Sequence, residues 1–291
     1  MTIDLVAAEH FLHTHARLLE RLQFAALVHG QSDEPVRKAL QVYQNPDGGF
    51  GHALEPDVRG PDSQPSAVRT ALAVLADVDA LDDPITERAA AWLATVSGPD
   101  GGVPTVLPSA TAYPRAPWMQ PRPESGFLTF ALAGLLWQSG VDHPWLRPAT
   151  EWCWAALAAD PDPAGYTVKF ALDFLDSVPD PRRAADAVER LRPALAADGS
   201  LPIPGGTDGE RVRPLELSPR PDSPSRALFT DRQLDTDLDR LEHDQHEDGG
   251  WDVDYLHWCP AQSLEWRGIA TVQAIATLAR NGRLNLDNGD H

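Results

Sequence analysis

Two polar stretches of this 291-residue chain set acids, arginines, histidines and aromatics close together in a pattern that could do chemistry. The first runs Gly51-His52-Ala53-Leu54-Glu55-Pro56-Asp57-Val58-Arg59. The second runs Trp251-Asp252-Val253-Asp254-Tyr255, through His257, to Glu265-Trp266-Arg267. Four carboxyls, Asp254, Asp252, Glu55 and Asp57, are the candidate catalytic groups. Carboxyls crowded by like charge and by an indole such as Trp251 retain a proton, and a protonated carboxyl is what protonation of an alkene or a glycosidic oxygen requires. Arg59, Arg69 and Arg267 supply the opposite charge, to orient a diphosphate, a carboxylate or the acids themselves. His52, Tyr255, His257 and Glu265 complete the polar lining of the expected substrate site. Trp118, Trp251, Trp258 and Trp266 lie near loops and form its aromatic walls, because the π face of an indole attracts a cation. Trp92, Trp137 and Trp152 fall on helical patterns and fill space between helices. The same acids and arginines admit a second reading, in which they cap helices and cross-link turns.

Both stretches follow a Gly-rich turn, and that turn recurs: PDGGFG at 46–51, PDGGVP at 99–104, DGSLP at 198–202 and EDGGWD at 247–252. The spacings, roughly fifty residues or twice that, are those of repeat architectures. A degraded copy is expected between Asp160 and Gly165. Asp-Gly-Gly suits a helix stop, since glycine reaches positive φ at no Cβ cost and aspartate bonds its own backbone. Between the turns apolar residues recur at three and four, predicting helices over 5–28, 34–44, 65–78, 84–96, 125–138, 145–158, 165–176, 181–197, 231–245 and 260–281. Residues 125–138 are apolar nearly all round and read as an inner helix, whereas 231–245 is acidic on most of its face and reads as an outer one. Two proline-dense connections, 104–124 and 203–230, are long enough to be functional or to drape over an opening. With the turns in equivalent places around a ring, the first and last repeats are neighbours and the two polar stretches face each other.

Composition limits the partners. The chain has 24 basic and 43 acidic residues, a formal net charge of -19, which repels nucleic acid and anionic membrane faces. Lys38 and Lys169 are its only lysines, so an anionic substrate must be met by arginine or a divalent metal. Two cysteines, Cys153 and Cys259, are too few for a disulfide framework. Asp4, Glu9, Arg17, Glu20 and Arg21 interrupt the first apolar stretch, which excludes a secretory leader there, and nowhere do about 18 apolar residues run together as a membrane span requires. The expected address is cytoplasmic, and nothing in the sequence fixes an oligomeric state.

QNPDGGFG at 44–51 and QHEDGGW at 245–251 resemble the glutamine, glycine and aromatic turn motif of the terpenoid cyclase and protein prenyltransferase superfamily, whose repeats are of the prenyltransferase and squalene oxidase type. With the alternating helices the similarity covers nearly the whole chain, and it implies one domain over 1–291. It also implies an all-α fold, an α/α toroid of about five to six helical hairpins, with inner helices around an apolar cavity that binds or cyclises isoprenoid chains. The catalytic signatures are not intact. Asp252-Val253-Asp254-Tyr255 ends in tyrosine where a class II cyclase has the last aspartate of D-x-D-D. Asp235-Thr236-Asp237-Leu238-Asp239 fits no better, and Asp82-Asp83-Pro84 does not continue into the class I D-D-x-x-D site. Protein prenyltransferases hold zinc through aspartate, cysteine and histidine. Here Asp254, His257 and Cys259 offer those ligand types in a different order, with His243 and His246 upstream. The expectation is no cofactor, with zinc on that trio, or magnesium beside a bound diphosphate, as alternatives. His10, His13 and His15 do not share a helix face and are not read as a metal site. The expected function is binding or transformation of an apolar, isoprenoid-like small molecule. A glycan hydrolase or lyase of α/α-barrel type and a non-catalytic toroid scaffold are the alternatives.

Overall fold

The computed structural model describes residues 3–284 and 286. Its helices are α1 (Leu5–His15), α2 (Leu18–His29), α3 (Glu34–Gln41), α4 (Pro65–Asp77), α5 (Pro84–Val96), α6 (Leu128–Ser139), α7 (Leu146–Ala159), α8 (Tyr166–Leu175), α9 (Pro181–Leu191), α10 (Pro214–Leu217), α11 (Asp231–His243) and α12 (Pro260–Arg280). The one sheet among the described residues is a two-residue antiparallel ladder, β1 (Leu201–Pro202) with β2 (Arg211–Val212). The chain is therefore all-α, as the apolar spacing predicts. Contacts divide it into two compact units, Met1–Ala39 with Leu195–His291, and Leu40–Ala194.

Capping residues set the helix ends. The side chains of Asp4, Asp83 and Asp180 accept from the backbone N–H groups of Ala7, Ile85 and Arg183, and Thr230 forms a reciprocal box with Gln233. Gly30 and Gly140 close α2 and α6 in the left-handed conformation. In the Leu40–Ala194 unit, α6 buries every residue from Leu128 to Gly134. It lies so close to α8 that a Cβ on Gly134 would stand 2.6 Å from the Asp173 carbonyl oxygen. By contrast α9 buries Ala184, Ala187, Val188 and Leu191, one stripe at helical spacing. In the other unit α11 buries only Asp237 and Leu238, as its acidic face predicts. That unit's core joins Phe11, Leu12 and Phe24 to Trp251, Val272, Ile275 and Leu278.

The single helix expected over 5–28 is two. Ala16 and Arg17 are extended, with ψ of 162° and 163°. The break is held by side chains: Arg21 donates to the Ala16 carbonyl at 2.8 Å, and Arg17 grips the buried carboxylate of Glu20. Gly268 of α12 leaves room for the bend, since a Cβ there would lie 2.9 Å from that of Ala16.

The four Gly-rich turns share one hydrogen-bond scheme. A backbone N–H bonds the carbonyl four residues on (Asn45 to Gly49, Gly98 to Gly102, Ala196 to Ser200, His246 to Gly250), and the N–H of the residue before that carbonyl returns to the first (Gly48 to Asn45, Gly101 to Gly98, Gly199 to Ala196, Gly249 to His246). In each, the aspartate accepts from the N–H two residues ahead. The glycine after the aspartate has φ between 83° and 94° in all four. The stretch at 160–165 keeps an aspartate contact of this kind, Asp162 N–H to Asp160, and a positive φ at Gly165.

Three of the turns also seat on a helix in one way. A Cβ on Gly48, Gly101 or Gly249 would lie 2.7, 2.5 or 2.2 Å from the backbone of Arg88 in α5, Pro148 in α7 or Ala7 in α1. A Cβ on the next glycine would meet the aromatic ring four residues further along the same helix, Trp92, Trp152 or Phe11. The motif glutamines add a second tie. Gln44 donates to the Gly48 carbonyl and accepts from Arg88, and Gln245 donates to the Gly249 carbonyl and accepts from the Asp4 N–H.

Gly249→Ala therefore meets both a left-handed backbone and a collision, and should lower unfolding free energy by about 3 kcal/mol or more in denaturant titration. Gly30→Ala, at a φ of 61° with nothing within 4 Å of the added Cβ, should cost only about 1 kcal/mol. Equal losses at the two positions would show that the seat on Ala7 is not what fixes the turn.

Candidate functional site

In the Leu40–Ala194 unit the chain leaves its first turn along a constrained path. Gly51 is closed in by the Pro61 carbonyl oxygen, 2.1 Å from where a Cβ would stand. His52 and Ala53 follow with φ of 56° and 57°, a conformation costing L-residues roughly 1–2 kcal/mol each. Asn45 offsets part of that cost, its side chain donating to Pro61 O and Ser63 Oγ at 2.9 Å while its Oδ1 lies 3.0 Å from His52 Nε2. The path carries the next two acids inside: Glu55 is 6% exposed and Asp57 4%. Thr70 of α4 donates to Glu55 Oε2 at 2.8 Å, and the Trp118 indole N–H donates to Asp57 Oδ2 at 3.1 Å.

Trp118 arrives on the first long connection, which is an ordered strap with a 3-10 turn over Pro108–Ala112. Backbone bonds fasten it to the acid segment, Arg59 N–H to Pro114 O at 3.1 Å and Ala116 N–H to Asp57 O at 2.9 Å. Gln64 bonds both Ser109 Oγ and the Leu107 N–H at 2.8 Å, and Val58 packs with Val106, Ala110 and Met119. Of the expected site, this unit thus brings together Glu55, Asp57, Arg59 and Trp118, with His52 exposed at the segment's start. Arg69 lies on α4 next to Thr70, its guanidinium 5.4 Å from the centre of the Phe170 ring.

In the other unit the 251–267 stretch is spoken for by ion pairs and core contacts. Trp251 is buried, its backbone N–H on Thr271 Oγ1 and its indole N–H on the Leu241 carbonyl. Asp254 pairs with Arg213 at 3.1 Å, and its carbonyl accepts from Thr207. Asp252 lies 3.2 Å from His257 Nε2 and 3.9 Å from Arg267 Nε. Tyr255 meets Trp266 edge to face at 5.4 Å, while Trp258 and Glu265 are half-buried. Arg267 donates to both oxygens of Asp248 at 2.9 Å and lies over the Phe11 ring. It occupies the place that Ser63 and Ser125 hold at the first two turns, where each hydroxyl bonds the turn aspartate, Asp47 or Asp100.

The zinc alternative needs correction. Among the described residues no group of three or more His, Cys, Asp or Glu side chains is placed to hold a metal ion. Asp254 turns to Arg213 and His257 to Asp252, while Cys259 sits at the N-cap of α12, so the trio does not converge. Magnesium has no carboxylate set of its own there either. Sequence reasoning missed Thr70 as the partner of Glu55, because no local spacing links a loop acid to a helix hydroxyl fifteen residues on. The serine and arginine clamps on the turn aspartates were not legible from spacing either, since Ser63, Ser125 and Arg267 follow their aspartates by 16, 25 and 19 residues.

No protein-family model matches the chain, and no curated protein matches it. Solved structures do. A protein from Actinoplanes aligns over 96% of this chain and 99% of its own, at 17% identity and a TM-score of 0.59. The type II terpene cyclase MstE from Scytonema aligns over 94% and 97%, at 15% identity and a TM-score of 0.54. A variant of MstE in complex with geranylgeranyl dihydroxybenzoate, its substrate, aligns over 95% of both chains, at 14% identity and a TM-score of 0.55. These likenesses show the fold, an all-α arrangement of the α/α-toroid class that terpene cyclases share. No helix among the described residues is long and apolar enough to cross a membrane.

The Asp248 clamp has a pH signature. Hydrogen bonds from Arg267 hold the Asp248 carboxyl below the usual carboxylate range, with help from the Gly250 N–H and against the effect of burial. A carboxyl held low in the folded state contributes stability above its unfolded pKa of about 3.9, and that contribution is lost as pH falls through the folded value. Asp248→Asn should cost about 1 kcal/mol at pH 7, a charge-assisted bond discounted for solvent screening. The gap to the parent protein should close below about pH 4. A gap that stays constant down to pH 2.5 would remove the clamp as its cause.

Proposed function

We propose that this chain binds or transforms an apolar, isoprenoid-like small molecule in the manner of a terpenoid cyclase, with both compact units serving one functional domain. The carrying observation is the pair Glu55 and Asp57, two carboxyls buried under a fastened strap at the end of a strained turn, in a fold that MstE also has. MstE is recorded with geranylgeranyl dihydroxybenzoate as substrate and with merosterolic acid A as product. An acid that protonates an alkene has to be kept from bulk water, which would take the proton and quench the cation. Burial supplies that protection for Glu55 and Asp57, and Thr70 and Trp118 each hold one oxygen of a carboxyl in place. Asp254 has a 55% exposed side chain paired to Arg213, and Asp252, also exposed, lies 3.2 Å from His257 Nε2. In this reading these two acids organise their own segment, where Tyr255 meets Trp266 edge to face. The 45% exposure of Trp118 beside Asp57 is the feature that favours the glycan-cleaving alternative, since an open indole is a sugar platform.

Incubation with geranylgeranyl dihydroxybenzoate and with geranylgeranyl diphosphate, followed by chromatography and mass spectrometry, should yield an isomer of unchanged mass from at least one. Glu55→Gln or Asp57→Asn should reduce that turnover by about a hundredfold or more, the range lost with a general acid, whereas Asp254→Asn should change it by less than about threefold. If neither isoprenoid is converted or bound, while oligosaccharides are cleaved, the glycan reading replaces this one.

A further inference from the structure

Arg69 stands out in a chain with 43 acidic residues against 24 basic ones. Its Nε is buried and without a hydrogen-bond partner, and one helical turn earlier the Ser66 hydroxyl, on a residue 3% exposed, is also without one. Residues three apart on a helix share a face, so α4 presents two orphaned donors side by side. Such donors cost about 1–3 kcal/mol each when nothing accepts from them. Behind them lies an aromatic stack from the same unit. Phe170 sits under the guanidinium at 5.4 Å. Phe127 stacks on Phe170 at 5.4 Å and an interplanar angle of 13°, and Tyr166 at 6.1 Å and 24°. Phe127, Tyr166 and Arg69 are each partly exposed, so this corner of the unit is reached from outside.

We propose that Ser66 and Arg69, backed by Phe170, Tyr166 and Phe127, form a binding site for an oxyanion carried on an apolar or aromatic body, a carboxylate being the best fit. A guanidinium takes a carboxylate through two parallel N–H bonds, which a planar anion matches and a neutral amide does not. The ring bearing the carboxylate has Tyr166 and Phe127 to stack on. The occupant supplies the missing acceptor and the missing negative charge together. This adds a head group to the ligand, and it rests on the terpenoid reading only for what the anion is attached to.

Benzoate is the direct probe, with benzamide as its neutral counterpart and inorganic phosphate as the bare anion, each titrated into the full chain by calorimetry and ligand-observed NMR. Benzoate should bind, benzamide should bind at least tenfold more weakly, and Arg69→Gln should weaken benzoate at least tenfold while leaving the melting temperature unchanged or higher. Arg69→Lys, which keeps the charge and loses the fork, should fall between. Phosphate binding as tightly as benzoate and lost in Arg69→Gln would support the anion site and assign the charge to a phosphate head. If wild-type protein binds neither anion and Arg69→Gln lowers the melting temperature, Arg69 is a brace on Phe170 and the proposal is overturned. Benzoate binding without any isoprenoid turnover would leave the anion site standing and remove the cyclase reading alone.

Discussion

The architecture depends on how closely a glycine turn approaches the backbone of a helix. At Gly48, Gly101 and Gly249 the distance from a virtual Cβ to helix backbone is 2.7 Å or less, so no other residue fits without moving main chain. The positive φ makes glycine preferred, and the approach makes it obligatory. The contact registers each turn on its helix to within one residue, because the second glycine must then face the aromatic four positions on. An aspartate accepts from the turn's own N–H at all four turns, and Gln44 and Gln245 bond the turn carbonyl at two of them.

That registration has a chemical consequence. The residues after a seated turn leave from a fixed point in a fixed direction, and at the first turn the direction is inward. His52 and Ala53 adopt left-handed conformations that their types do not favour, and the chain then delivers Glu55 and Asp57 into the interior. Backbone strain next to buried carboxyls, held by an asparagine that touches Pro61, Ser63 and His52, is the pattern expected where a segment is kept for its side chains. The strap reinforces it: two of its fastenings are main-chain bonds and two are bonds to Gln64, so Trp118 is placed by backbone geometry as well as by its own contact.

Much of this was legible in the residues, for a physical reason. Helical periodicity and turn glycines are local signals, so helix boundaries over 65–78, 84–96 and 231–245 fall within a residue or two of those observed. The helix expected over 181–197 ends at Leu191, and the single helix expected over 5–28 is broken by side-chain bonds to Ala16 O and by the space over Gly268, neither visible in an apolar pattern. The site was legible as residue types and only partly as geometry. That Glu55 and Asp57 are buried while Asp254 is open depends on partners distant in sequence, Thr70, Trp118 and Arg213. Zinc-ligand types near Asp254, His257 and Cys259 had nothing to say about whether those side chains converge.

The arginine at the clamp position separates the two acid segments. The clamp on the turn aspartate is serine at the first two turns and Arg267 at the last. Where it is arginine, a full positive charge is fixed beside the turn, and Asp252 four residues after the clamped Asp248 comes within 3.9 Å of it. Where it is serine, the clamp satisfies the turn by a neutral hydrogen bond and brings no cation to the segment that follows. The two polar stretches look alike in composition, yet the clamp is a cation at one and a neutral hydroxyl at the other, and Glu55 and Asp57 lie buried where Asp252 and Asp254 lie open.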